Sequence, residues 1–254
     1  MSRRVREYSD VVQRLRSVTR YGWRLKEERK IWGYPWFTVA RVVSRRAPTI
    51  LLSGGMHGEE PGGVEGVLRW LDSGQWKRWR VNWLVFPCIN PYGWERNRRT
   101  NAQRRDINRQ FRTRTDTPEA ELIKLLVAGR RFLFSIEFHE DVGASGYYLY
   151  ELRRTPPFIG EKILREVRRV IHINGDAVID GNRATGRGLI RRNADGNLMR
   201  TRRRWPMAYH LFLNSTDHIL GSETPVTVPL EQRTAAHTTA LKAALSLSRS
   251  SAAC

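Results

Sequence analysis

Apolar residues recur along this chain at two spacings, one suited to helices and one to strands. From Ser9 to Val18, Val11, Val12 and Leu15 share one helical face, with Ser9 placed to cap the N-terminus. Trp36 to Val43 is aromatic and β-branched and predicts a strand. Thr49 to Ser53 predicts the next, after a turn around Arg46-Ala47-Pro48. Val64, Val67, Leu68 and Leu71 predict a helix from about Gly63 to Leu71, and Trp83 to Cys88 a third strand. Asn90 to Trp94 is a turn cluster, and the polar stretch Arg96 to Phe111 has no period and predicts a loop. Thr117 as N-cap, Pro118 at the first position and Glu119 open a helix that presents Leu122, Leu125 and Leu126. Arg131 to Phe138 predicts a strand ending at His139-Glu140-Asp141; Tyr147 to Tyr150 predicts a short one. A basic amphipathic helix follows at Glu161 to Val170, and a last helix runs from about Pro229 to Leu247. Asn182 to Trp205 is polar and arginine-rich, too long for an idle connection, and reads as a functional or mobile loop. Strands alternating with helices predict an α/β fold: a mixed, mostly parallel twisted sheet with helices on both faces. The expected organisation is one catalytic domain over residues 1–254, with a frayed tail from about residue 246.

The predicted strand ends collect the chemistry. Leu51 to Gly63 joins a buried strand to a helix through glycines and carries His57 and Glu60 three positions apart. Ligands in open α/β sheets bind outside the carboxyl ends of strands. Imidazole nitrogen and carboxylate oxygen are both good zinc ligands. By itself the pair also suits a solvated acidic turn before a helix. His139 at another strand end and Glu223 in Ser222-Glu223-Thr224-Pro225 tilt the balance. Two histidines and one glutamate form a catalytic-type zinc set with a position left for water, and a separate carboxylate suits a general base. His172, His210, His218 and His237 read as structural or surface residues.

Composition changes the picture in two places. The formal charge is +20, and 39 of the 45 basic residues are arginine. Such a charge raises nucleic acid or another anionic polymer as a partner. The arginines are spread along the whole chain with no nucleic-acid-binding motif, so an arginine-biased composition is the simpler account. No apolar run reaches the ~18 residues of a membrane span. The charged N-terminus lacks a signal-like segment, and Cys88 and Cys254 are poorly placed to pair. A cytoplasmic protein without a disulfide is expected.

Three patterns make the chain resemble the funnelin-type zinc carboxypeptidases, which are related to succinylglutamate desuccinylase and aspartoacylase. They are Gly55-Met56-His57-Gly58-Glu59-Glu60; Asn90-Pro91-Tyr92-Gly93 followed by Arg99 and Asp106-Ile107-Asn108-Arg109-Gln110-Phe111; and Glu223 near the C-terminus. The resemblance spans Trp36 to about His237. It implies that His57, Glu60 and His139 hold one zinc ion, and that Asp106 orients His57. It implies that Arg99 polarises the scissile carbonyl, that Asn108 and Arg109 clamp a terminal carboxylate, and that Glu223 is the base. Glu59 is a rival for Glu60 and Arg98 for Arg99, with spacing favouring the residues named first. The family's capping tyrosine has no clear counterpart; Tyr209 is the candidate. The implied activity is a metallocarboxypeptidase using zinc-activated water on a peptide with a free carboxylate. The alternatives are a zinc amidohydrolase acting on N-acyl amino acids, and an anionic-polymer binder on a hydrolase fold.

Overall fold

The computed structural model describes residues 6–192 and 201–250. After helix α1 (Tyr8–Ser17), strands β1 (Arg24–Ile31) and β2 (Tyr34–Arg41) form a hairpin. β3 (Thr49–Gly54) leads into α2 (Pro61–Asp72), and β4 (Asn82–Phe86) into the short α3 (Pro91–Arg96). α4 (Pro118–Val127), β5 (Phe134–Asp141), β6 (Tyr148–Arg153) and α5 (Gly160–Val167) follow. β7 (Val178–Ile179) and β8 (Asn182–Arg183) pair only with each other. β9 (Leu189–Arg192), α6 (Met207–Asn214), β10 (His218–Pro225) and α7 (Leu230–Ser250) complete the chain.

Eight strands make one sheet in the order β1-β2-β4-β3-β5-β10-β6-β9. β4, β3, β5 and β10 run parallel at its centre; β1 pairs antiparallel with β2, β2 with β4 and β6 with β10, and β9 lies parallel to β6 at the far edge. Alternation along each strand builds two cores. Ile50, Leu52, Trp83, Val85, Phe134 and Ile136 face the core shared with α1, α2, α5 and α7. Leu51, Leu84 and Phe86 face the core shared with α4 and α6. Each large apolar side chain so buried contributes roughly 1.5–3 kcal/mol before chain entropy is counted. No helix among the described residues is long and apolar enough to cross a membrane.

Several expectations shift. β1 was not expected, because Arg24 to Ile31 is an exposed edge strand with little apolar signal. The Asn90 turn cluster is a helical turn, with the Asn90 side chain accepting from Gly93 N at 2.9 Å. α1 begins one residue before Ser9, which makes no cap bond; the buried Tyr8 sets the start, donating its hydroxyl to Pro35 O at 3.0 Å. Thr117 precedes α4 as expected but without a side-chain cap. The expected loop Asn182 to Trp205 contains β8 and β9, and β9 pairs with β6; its residues 193–200 lie outside those described. The tail does not fray at 246: α7 continues to Ser250, with Leu245 and Leu247 packed on the core. Residues 251–254, including Cys254, lie outside the described residues, whereas Cys88 is a buried free thiol.

His237 on α7 is fully buried against β5 and β10. Its ring stacks on Phe138 at 4.6 Å, with Ser222 Oγ 2.8 Å from Nδ1 and Thr224 Oγ1 3.3 Å from Nε2. Burial, aided by the charge of His139, holds this imidazole down at about 3. The unfolded chain takes up that proton near pH 6.5, and the native state refuses it. The stability tied to a neutral His237 is therefore complete above pH 6.5 and is lost as pH falls towards 3, by about 1.4 kcal/mol per pH unit. Denaturant unfolding of His237→Gln between pH 6 and 4 is expected to show a shallower loss than wild type by about one proton. Equal slopes would mean that His237 does not carry this linkage.

Candidate active site

The site is assembled where β3, β5 and β10 end. After β3, Gly55 takes a left-handed φ of 67°, and a Cβ there would lie 2.6 Å from Val64 Cγ2. Gly58 then packs so closely on α3 that a Cβ would lie 1.9 Å from the Gly93 carbonyl carbon. Asn90 N donates to Gly55 O at 2.9 Å, and Asn90 Nδ2 to Arg99 O at 3.3 Å. The Asn-Pro-x-Gly run thus docks the His57 loop and fixes the start of the arginine–asparagine loop. Gly58 and Gly93 are needed for the close approach of the two backbones.

That docking brings three buried groups together. His57 Nδ1 lies 2.6 Å from Glu60 Oε1, and His139 Nδ1 lies 3.0 Å from Glu60 Oε2. One ligand atom from each of His57, Glu60 and His139 falls within 4.8 Å of the others. The distal nitrogens are engaged on carboxylates: His57 Nε2 is 3.2 Å from Asp106 Oδ1, and His139 Nε2 is 3.5 Å from Glu137 Oε2. Histidine ligands of metals commonly have their second nitrogen held in this way. Burial opposes charge on Glu60 and on His139. The attraction of His57, and then of His139, outweighs burial on Glu60 and holds it down at about 2, while Glu60, aided by Glu137, pushes His139 well above its ordinary range. Two imidazole nitrogens and a carboxylate, converging and oriented from behind, fit the donor set of a catalytic zinc.

The other expected residues surround this triad. Glu223 sits opposite His139 in the β10–β5 register. Burial pushes its carboxyl well above the usual range, His139 pulls it down, and Glu60 pushes it further up. Arg99 Nε donates to Asp106 Oδ2 at 3.1 Å, and its guanidinium lies 3.7 Å from Glu60. Asp106 also accepts from Asn108 N at 2.9 Å, so one carboxylate ties together His57, Arg99 and the Asn108 turn. Burial opposes the charge on Asp106, but its bond to His57 and the nearby arginines hold the carboxyl well below its usual range. Asn108 Oδ1 accepts from Met207 N at 2.9 Å, and among the described residues its amide N–H groups face no acceptor. Arg109 is exposed. All of these except Asp106 line one cavity of about 460 Å³, which Tyr209 also lines. Of the rivals, Glu59 lies 3.9 Å from Arg99 and is not in the triad, and Arg98 does not line the cavity.

Known proteins share this fold. Residues 46–154 match the model of the succinylglutamate desuccinylase/aspartoacylase catalytic domain. A crystal structure of a candidate metallopeptidase from Shewanella amazonensis SB2B superposes with a TM-score of 0.80 at 24% identity, covering 95% of this chain and 93% of that one. One from Shewanella baltica OS155 gives 0.81 at 24% identity, over 95% and 92%. Carboxypeptidase A from Helicoverpa armigera gives 0.68 at 14% identity, over 96% of this chain and 73% of that one. The chain has the fold of these zinc carboxypeptidase-like structures, and its residues 46–154 are similar to the desuccinylase/aspartoacylase catalytic domain. No curated protein sequence matches it. The matched segment holds His57, Glu60, Arg99, Asp106, Asn108, Arg109 and His139, but stops short of Glu223.

Sequence reasoning missed several members of the site. Glu137 alternates with His139 on β5, a signal available from the strand period but overlooked beside the histidine. Tyr148 and Tyr150 line the cavity and donate to Asp141 Oδ2 and Asp180 Oδ2 at 2.9 and 2.5 Å. Glu140, next to His139 on β5, is paired with Arg233 and accepts from Gly62 N at 2.9 Å. It anchors the start of α2, which carries Glu60 just before it.

Proposed function

We propose that the chain is a zinc-dependent metallocarboxypeptidase, a single catalytic domain that hydrolyses the amide bond beside a C-terminal carboxylate. The observation that carries this reading is one cavity holding the His57–Glu60–His139 triad, Glu223 and the Asn108–Arg109 pair. His57, Glu60 and His139 would hold one zinc, which when bound supplies a Lewis acid and lowers the pKa of water. Glu223 accepts the proton from the attacking water and returns it to the leaving nitrogen. Arg99 stabilises charge growing on the carbonyl oxygen. Asn108 donates its amide, and Arg109 its guanidinium, to the terminal carboxylate. Asp106 keeps the His57 ring turned towards the triad.

The catalytic-domain match over residues 46–154 favours a second reading, hydrolysis of an N-acyl amino acid. It uses the same groups on a shorter acyl side. Both readings need a free carboxylate. Arg109→Ala is expected to lower kcat/KM on free-acid substrates by on the order of 2–3 kcal/mol, the value of a charged hydrogen bond with a stranded partner. Amidated counterparts should lose far less. Equal losses on the two would remove Arg109 from carboxylate recognition and weaken both readings. Binding to an anionic polymer is a separate matter, read from the salt dependence of nucleic-acid affinity.

A further inference from the structure

In a chain of net charge +20, the described lining of the catalytic cavity carries more carboxylates than guanidiniums. Most of these carboxylates have partners. Asp141 and Asp180 hold the hydroxyls of Tyr148 and Tyr150. Glu140 is paired with Arg233, and Glu151 accepts from Ile159 N at 2.7 Å and pairs with Arg191. Glu137 differs. It is 3% exposed, its Oε2 makes a single long contact to His139, and its Oε1 has no partner among the described residues. A buried polar atom left unpaired calls for an explanation.

Its position supplies one. Glu137 precedes His139 by two residues on the same face of β5, about 6.6 Å deeper along the strand. In register beside it on β10 stands Gly221, which has no side chain to fill the space. Leu152 and Ile219 line the same cavity and offer an apolar wall. A residue with its carbonyl at the triad and its carboxylate on Asn108 and Arg109 would send its side chain to this depth. An aliphatic stem ending in a cation matches such a channel: the stem meets Leu152 and Ile219, and the head meets Glu137.

Resting on the proposed function above, we infer that Glu137 selects substrates whose released residue carries an amine or guanidine side chain. The test uses zinc-loaded protein and two near-isosteric amino acids, L-lysine and L-norleucine, as product ligands in calorimetry, and as the last residue of blocked dipeptides in kinetics. Lysine is expected to bind more tightly, and lysine-ended dipeptides to have the higher kcat/KM, each by about 10- to 100-fold, as for a hydrogen bond between charged groups. In Glu137→Gln both ratios collapse towards unity; in Glu137→Asp, which keeps the charge on a shorter arm, they stay between those limits. Equal or tighter binding of norleucine by wild type overturns the inference. So does a Glu137→Gln protein that keeps the lysine preference but loses zinc, which would confine Glu137 to positioning His139. A lysine preference in binding without cleavage of any dipeptide supports the selectivity and counts against the peptidase reading alone.

Discussion

Glu223→Gln is expected to lower turnover by about 10²–10⁴-fold while leaving metal content unchanged. The carboxylate projects from β10 beside His139, on the cavity face of the sheet. Burial raises its pKa well above the usual carboxylate range, and this favours taking a proton. A bound dication would pull that value down again. Glutamine keeps the shape and the hydrogen-bonding reach and loses the basicity. Steady-state kinetics with parallel metal analysis checks this. Loss of metal from the variant would move Glu223 into the ligand set. Near-normal turnover would put the base elsewhere, and Glu140 is a poor replacement because Arg233 and Gly62 N already occupy its oxygens.

His139→Ala is expected to take the protein from about one zinc per chain to almost none, and with it the activity. Two donors would remain, and the His57–Glu60 pair is held by local loop geometry that survives the change. Without metal, Glu60 in the variant would be a buried carboxylate that has lost one of its two imidazole partners. Breaking a buried pair destabilises by about 3–5 kcal/mol. Asp106→Asn should differ in kind. It disturbs only the far nitrogen of His57 and the Arg99 contact, so affinity should fall about 10–100-fold without abolishing binding. Chelator competition separates the two variants. Equal zinc in His139→Ala and wild type would sink the ligand assignment.

The parts of this protein legible in its sequence are those where local pattern and tertiary role coincide. β3 and β5 could be read because strands at the centre of a parallel sheet are apolar and short. The His57 loop and the Asp106 turn could be read because their residues act within a few positions of one another. β1 could not, since an edge strand of alternating charge has no apolar face to announce it. β9 was hidden in an arginine-rich stretch, where solvated side chains mask the few buried residues that set the structure, such as Leu189. The Arg233–Glu140 pair depends on a contact across 93 residues, which no local period encodes. The docking of Gly58 on Gly93 gives the Asn-Pro-x-Gly run a structural purpose that spacing alone did not disclose.

The central claim is metal-dependent hydrolysis of an amide beside a free carboxylate. Its most direct test is a panel of blocked dipeptides and N-acyl amino acids, each as free acid and amide, assayed with zinc-loaded protein, after chelation, and after zinc is restored. The account predicts release of the carboxyl-terminal residue from free-acid dipeptides, abolished by chelation and recovered with zinc. Cleavage confined to N-acyl amino acids would keep the site and change the substrate. Hydrolysis that persists without metal, or no hydrolysis of any amide in the panel, would contradict it.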